Sequence, residues 1–150
     1  MVRRQVKNSE VEENPYVLWN AFIDLIAVED YEDLTEVQRL AHLVFWYDSE
    51  VQNGGHLQYF ANSSGRRAKE AEIALKELGI ECQQNILSEA VSHLSNNPLT
   101  EFGSIDDYVT GAHDDPFEAY DRRYYACPKD ANQYLEAYLK RNLSHFIELT

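Results

Sequence analysis

Apolar residues recur at intervals of three and four along most of the chain, which is the spacing of a helix with one buried face. Asn14 and Pro15 are typical of a helix start, and the polar residues 29–33 end the first apolar stripe. Thr35 followed by Gln38 predicts a capping box for a second helix. The pattern therefore predicts two consecutive helices in the first third of the chain.

The second helix is predicted to run to Asn53 and to stop at Gly54-Gly55, where a left-handed conformation needs a residue without a side chain. A short segment from His56 to Ala61 follows. Later helical stripes are predicted over about 66–78, 83–94, 106–109, 116–125 and 130–149. Because no period-two alternation is sustained, we predict an all-α, single-domain bundle of about six to eight helices around one core. This domain comprises residues 13–150 and follows a flexible N-terminal tail, residues 1–12.

The charge of the chain is strongly negative, at −13 from 26 acidic and 13 basic residues. Such a chain repels nucleic acid and anionic membranes, so we expect it to bind neither directly. It attracts a basic protein partner, and salt should weaken that attraction. The other interpretation is that the acidity only keeps the protein soluble.

Two cysteines, Cys82 and Cys127, stand far apart and outside any Cys-x-x-Cys pair. In a chain with enough apolar residues to build a core, they predict reduced, buried thiols and a cytoplasmic location. The charged N-terminus lacks the apolar stretch of a signal peptide, and no apolar run approaches the ~20 residues of a membrane span.

Sequence signals for catalysis, metal binding and cofactor binding are weak. The five histidines show no His-x-x-x-His or Glu-x-x-His spacing, so we predict no metal site. Neither a Gly-x-Ser-x-Gly nucleophile nor a glycine-rich phosphate loop is present, so we predict no cofactor and no enzyme activity.

The densest polar segment runs from Asp48 to Gly65, across the predicted helix junction. In an enzyme, Glu50 could act as a general base with His56 as its partner, and Asn53 or Gln58 could orient a substrate. The structural interpretation is that these side chains cap helix ends while the glycines allow a turn. We favour the structural interpretation because stop, turn and cap signals occur in the order that a junction needs.

Acidic residues are concentrated in two stretches without bases. These stretches supply the predicted partner-binding residues: Glu29, Asp30, Glu32, Asp33, Glu36, Glu101, Asp106, Asp107, Asp114, Asp115, Glu118 and Asp121. Carboxylates one helical turn apart lie about 5–6 Å from each other, which is comparable to the spacing of phosphates along a DNA strand. Such a surface can imitate the charge pattern of DNA.

A family resemblance supports this interpretation. The segment from Glu50 to Gly65 resembles the signature of a bacterial family, typified by a DNA-mimic protein, that was long catalogued as a domain of unknown function. The resemblance extends over about residues 34–149 and includes 117–125 and 138–142. Its motif residues, expected to be structural, are Glu50, Asn53, Gly54, Gly55, Gln58, Tyr59, Phe60, Asn62 and Gly65. His56 departs from the pattern, which leads us to expect an aromatic or other apolar residue there.

The resemblance implies an all-α fold, allows for a homodimer, and implies that the acidic surface occupies the DNA-binding face of a transcription factor. The first hypothesis is therefore an acidic DNA mimic that binds a basic DNA-binding protein, a transcriptional regulator, and blocks its access to DNA. The alternative is an immunity or antitoxin-like protein that neutralises a toxin enzyme. A third hypothesis is an enzyme that works at Glu50, Asn53 and His56.

Overall fold

The computed structural model describes residues 1–98 and 115–150. Eight α-helices lie in these ranges: α1 (Asn8–Glu13), α2 (Tyr16–Val28), α3 (Glu36–Ala61), α4 (Ala68–Glu77), α5 (Glu81–Asn96), α6 (Glu118–Tyr125), α7 (Ala131–Arg141) and α8 (Leu143–Phe146). Short 3-10 turns over Tyr31–Asp33 and Ser63–Arg67 flank α3. The prediction of an all-α bundle is confirmed. The helix predicted near 106–109 lies outside the described residues.

Helix α3 is the central element of the fold. It begins with the predicted capping box, in which Gln38 N donates to Thr35 Oγ1 at 3.3 Å and Thr35 N donates to Gln38 Oε1 at 3.0 Å. The predicted stop is a kink: Gly54 and Gly55 leave the helical conformation, Gly55 with φ 73°, and the helix then resumes to Ala61. The glycine pair therefore redirects the helix rather than ending it.

The core forms where the apolar stripes of α2, α4, α5 and α7 pack around α3. Its fully buried large side chains are Phe22, Leu25, Ile26, Tyr47, Leu57, Tyr59, Leu75, Ile80, Leu87, Phe117, Leu135 and Phe146. The short helix α6 packs against α3 and α5 next to a smaller apolar cluster of Leu57, Ala90 and Phe117. This position brings α6 against the kink in α3.

The N-terminal residues are ordered, so the predicted flexible tail is wrong. Strand β1 (Arg4–Val6) pairs in parallel with strand β2 (Ile147–Leu149), with Arg4 opposite Ile147 and Val6 opposite Leu149. Val6 is buried in the core, and α1 follows directly. The partner strand lies more than a hundred residues away, and a three-residue strand shows no alternation long enough to recognise.

Gln38 connects the start of α3 to both of these chain segments. Its side chain is fully buried, and Nε2 donates to the carbonyls of Val2 at 2.6 Å and His145 at 2.7 Å. Because Oε1 also accepts from Thr35 N, both N–H groups and the oxygen of the amide have hydrogen-bond partners. One side chain therefore fixes the first turn of α3 to the N-terminal segment and to α8.

Cys82 and Cys127 form a disulfide, so the prediction of reduced thiols is wrong. The bond joins the first turn of α5 to the residues that follow α6, with the two Cα atoms 6.0 Å apart. Since 45 positions separate the cysteines, only the packing of α6 beside α5 brings them together. None of the helices within residues 1–98 and 115–150 has the length and hydropathy to cross a membrane.

Candidate functional site

Glu50 bridges the kink in α3. Its Oε2 accepts hydrogen bonds from Gln58 Nε2 at 2.7 Å and from Asn62 Nδ2 at 2.8 Å. These three residues belong to the predicted family motif, and their contacts fix the second half of α3 relative to the first. The structural interpretation of Glu50 therefore agrees with the geometry, whereas Asn53 is exposed on the surface.

The end of α3 and the following turn approach each other closely at Gly65. A side chain added there would press against the backbone of Tyr59 and Phe60. Tyr59 is buried and Phe60 is half-buried, and both pack in the core. Gly65 thus permits a contact between backbones that a larger residue would prevent.

His56 occupies a fully buried position directly after the kink. Its Nδ1 lies 2.7 Å from Asp121 Oδ1, which also accepts from His56 N at 2.9 Å, and its Nε2 lies 2.7 Å from the hydroxyl of Tyr47. A carboxylate oxygen at Nδ1 requires that nitrogen to donate, so Nε2 of a neutral imidazole accepts from Tyr47. The surrounding rings are those of Tyr47, Phe60, Tyr120 and Tyr124.

The surroundings of His56 are aromatic, which would suit the aromatic or other apolar residue that the family pattern leads us to expect at this position. A polar ring is tolerated because both of its nitrogens have partners and no buried group is left unsatisfied. Asp121 supplies this compensation from α6, 65 positions away. Sequence reasoning placed Asp121 on the partner-binding surface, but its side chain is only 15% exposed and acts inside the protein.

The geometry does not form the acid–base pair of the enzyme hypothesis. Glu50 binds Gln58 and Asn62, whereas His56 binds Asp121 and Tyr47. The Asp121–His56–Tyr47 chain resembles a proton relay, but Tyr47 is 1% exposed. Burial raises the pKa of Tyr47 well above its ordinary value, so the hydroxyl stays protonated. No substrate can reach it in this conformation.

A second buried contact joins α3 to α6. The hydroxyl of Tyr124 donates to Asp48 Oδ1, and Gln52 Nε2 lies 3.5 Å from the same oxygen. Burial raises the pKa of Asp48 above 3.8, and the bonds from Tyr124 and Gln52 oppose this effect without cancelling it. The ionised carboxylate is therefore less favourable in the folded protein than in the unfolded chain.

This shift gives a prediction for Asp48→Asn. A carboxyl whose pKa is higher in the folded state contributes most to stability below its unfolded pKa of 3.8, and this contribution is lost as the pH rises through the folded pKa. Asparagine keeps an acceptor for Tyr124 but does not ionise. The stability of the variant relative to wild type should therefore rise as the pH increases above about 4.

Denaturant unfolding across that pH range measures the difference. Asp33→Asn is the matched control because it makes the same substitution at an exposed position. A difference for Asp48→Asn that is constant with pH would show that the buried carboxylate has an ordinary pKa.

Some acids of the base-free stretches have basic partners from elsewhere in the fold. Glu29 Oε1 lies 2.7 Å from Arg4 Nη1, and Glu32 Oε1 lies 2.8 Å from Arg67 Nη2. Asp115 is half-buried and accepts from the backbone N–H of Phe117 at 2.7 Å, and burial raises its pKa. A stretch without bases in sequence is thus partly neutralised in space.

Five of the predicted partner-binding residues in the described ranges are exposed: Asp30, Glu32, Asp33, Glu36 and Glu118, of which Glu32 pairs with Arg67. Glu118 lies 3.7 Å from Arg122 on the same helix. The other three form no ion pair with any residue in 1–98 or 115–150. Glu101, Asp106, Asp107 and Asp114 lie outside the described residues.

Sequence reasoning missed two acids that extend this surface. Glu70 and Glu77 of α4 line the same groove as Glu36 of α3. The two glutamates are one heptad apart with Ile73 between them, which places all three on one face. The spacing of Glu70, Ile73 and Glu77 is the sequence signal that could have predicted this surface. In the structure, Ile73 is 59% exposed.

Comparison with known proteins gives one match. The family model described as DMP19-like protein matches residues 32–142, which includes the kink, His56 and Asp121. Neither a curated protein nor a solved structure matches the chain significantly.

Proposed function

Because the chain belongs to the DMP19-like protein family, we propose that it is a DNA mimic that binds a basic DNA-binding protein, a transcriptional regulator, and blocks its access to DNA. The observation that carries this proposal is the exposure of Asp30, Asp33 and Glu36, without ion pairs in the described part of the chain. The net charge of −13 and the family resemblance support it.

Two of the three carboxylates lie one 3-10 turn apart. Asp33 N donates to the carbonyl of Asp30 at 3.0 Å, so these side chains lie on neighbouring parts of one surface. Glu36 begins α3 three positions later, after Leu34 and Thr35 in extended conformation. A row of carboxylates at this spacing offers a basic protein a substitute for successive phosphates.

The other predicted acids retain different roles in this proposal. Glu118 extends the exposed set, and Glu101, Asp106, Asp107 and Asp114 remain proposed contacts. Asp121 and Glu29 are engaged within the protein. We propose no catalytic role and no cofactor, since Glu50 and His56, the two residues with potential acid–base chemistry, serve the fold.

The proposed partner also bears on the cellular location and the oligomeric state of the protein. A regulator bound to DNA is cytoplasmic in a bacterium, so we propose a cytoplasmic location on this ground rather than on the cysteines, which form a disulfide. A homodimer, which the family resemblance allows, would double the number of carboxylates presented.

The test is a pull-down from a lysate of the source organism with elution by a salt gradient. We expect wild type to retain a DNA-binding protein that salt releases, because the contact is electrostatic. The triple variant Asp30→Lys, Asp33→Lys, Glu36→Lys should bind the purified partner roughly 100-fold more weakly at low salt, since each reversal replaces an attraction by a repulsion.

The matched control is Glu12→Lys, Glu13→Lys, Glu136→Lys. It makes the same change in net charge at exposed positions on α1 and α7. This control variant should still bind the partner. In a separate competition experiment, the wild-type protein should displace the partner from labelled DNA. Equal loss of binding in both variants would show that the partner responds to overall charge and not to these three positions. A captured partner that does not bind DNA would contradict the proposal of DNA mimicry.

A further inference from the structure

An apolar groove with a cavity volume of about 480 Å³ lies between α3 and α4. It is lined by Tyr31, Glu36, Val37, Arg39, Leu40, Leu43, Glu70, Ile73 and Glu77. Its apolar wall is open to solvent at Ile73, which is 59% exposed although Leu75 and the alanines of α4 are buried. An exposed isoleucine beside half-buried Leu40 and Val37 is an unfilled apolar surface.

The rim of the groove is acidic. Glu36 lies on the α3 side, and Glu70 and Glu77 lie on the α4 side. The single base of the lining, Arg39, donates to the carbonyls of Tyr31 at 2.9 Å and Glu32 at 3.2 Å, and its guanidinium lies 4.5 Å from the centre of the Tyr31 ring. Because Arg39 is held against the protein, the three glutamates leave the groove lining with a net negative charge.

The dimensions of the groove suit a helix. Its lining residues span 36–43 on α3 and 70–77 on α4, so each wall is two helical turns, or about 10 Å, long. Two packed helices leave a furrow between them that accepts a ridge of side chains from a third helix. The α3–α4 pair is among the most extensively packed in the fold, so the furrow has firm walls.

We propose that this groove is the docking site for a basic amphipathic helix of the partner protein. The apolar side chains of that helix contact Leu40 and Ile73, and its lysines or arginines face Glu36, Glu70 and Glu77. The inference rests on the proposed function and deepens it, because it adds a contact that DNA does not offer. Glu36 belongs both to the groove and to the exposed acidic row of Asp30, Asp33 and Glu36. The groove and the acidic row therefore form one continuous surface.

The experiment uses two 18-residue peptides of leucine and lysine with the same composition. In the first, the leucines occupy one helical face; in the second, they are distributed so that no apolar face forms. Fluorescence anisotropy measures the binding of each labelled peptide. We expect wild type to bind the amphipathic peptide at least ten-fold more tightly than the rearranged one.

Ile73→Ala should remove most of this preference by weakening the amphipathic peptide about ten-fold, while binding of the rearranged peptide is unchanged. Leu149→Ala is the control, because Leu149 is also an exposed aliphatic residue but lies on β2, outside the groove. The control should behave as wild type.

Three outcomes would overturn the proposal. Equal binding of the two peptides would mean that charge alone attracts them, which refutes the groove but leaves the proposed function standing. Binding of neither peptide would refute the groove, and the pull-down then decides the proposed function separately. A dimer in analytical ultracentrifugation that Ile73→Ala dissociates would show that a second copy of the chain occupies the groove.

Discussion

Replacing Gly55 with alanine is expected to destabilise the protein by at least about 3 kcal/mol. Gly55 has φ 73° and ψ −175°, a backbone region that residues with a side chain almost never adopt and that costs them about 1–3 kcal/mol. The new Cβ would also collide with the carboxylate of Asp121. Displacing Asp121 removes two hydrogen bonds from buried His56, and each unsatisfied group costs about 1–3 kcal/mol.

Gly79 provides a matched control for this prediction. It has φ 74° but no atom lies within 4 Å of the position that its Cβ would take. Gly79→Ala should therefore cost only about 1 kcal/mol, from the backbone conformation alone. Urea unfolding of the two variants measures the excess cost at Gly55, which combines its rare backbone conformation with the loss of the Asp121–His56 contact. Equal costs would mean that Asp121 moves aside freely and contributes little to stability.

Removing the disulfide should have an effect of similar size. A cross-link between residues 45 positions apart restricts the unfolded chain. In the loop-entropy model this raises the free energy of unfolding by about 4 kcal/mol. The double variant Cys82→Ala, Cys127→Ala should lose this amount in chemical unfolding without a reductant. Alanine suits these half-buried positions because it introduces no polar group.

Reductant distinguishes the cross-link from the packing of the two sulfur atoms. Dithiothreitol should lower the melting temperature of wild type and leave that of the double variant unchanged. Titration of thiols in the unfolded, unreduced protein should find none. Two reactive thiols, or a melting temperature that dithiothreitol does not change, would show that the protein exists with reduced cysteines.

The local signals in the sequence were sufficient for most of the helical architecture. The Thr35–Gln38 capping box depends on neighbouring residues and is confirmed. Gly55 has the positive φ expected at a glycine stop, but the helix resumes after it. The pairing of Arg4–Val6 with Ile147–Leu149 and the disulfide depend on contacts between distant segments. Such contacts leave no pattern in the sequence of either segment alone.

The acidic candidate surface was likewise predictable from local sequence only in part. The exposure of Asp30, Asp33 and Glu36 agrees with their position in an acidic connection. Which acids are neutralised was not predictable, because Arg4 and Arg67 reach Glu29 and Glu32 only through the tertiary fold. The acidic rim at Glu70 and Glu77 was hidden by the lysines that share their helix.

The burial of Gln38 affects how the acidic row binds. The row ends at the first turn of α3, which Gln38 fastens to the carbonyls of Val2 and His145. Its carboxylates are thus preorganised, and a partner does not bear the ordering cost that a flexible acidic loop would impose on association. The affinity for a partner therefore depends on the integrity of the N-terminal segment, although no residue there touches the partner in this proposal. Truncating the N-terminal segment would remove no acidic residue of the set Asp30, Asp33 and Glu36. It would remove the contacts that order the start of α3 and so slow productive docking.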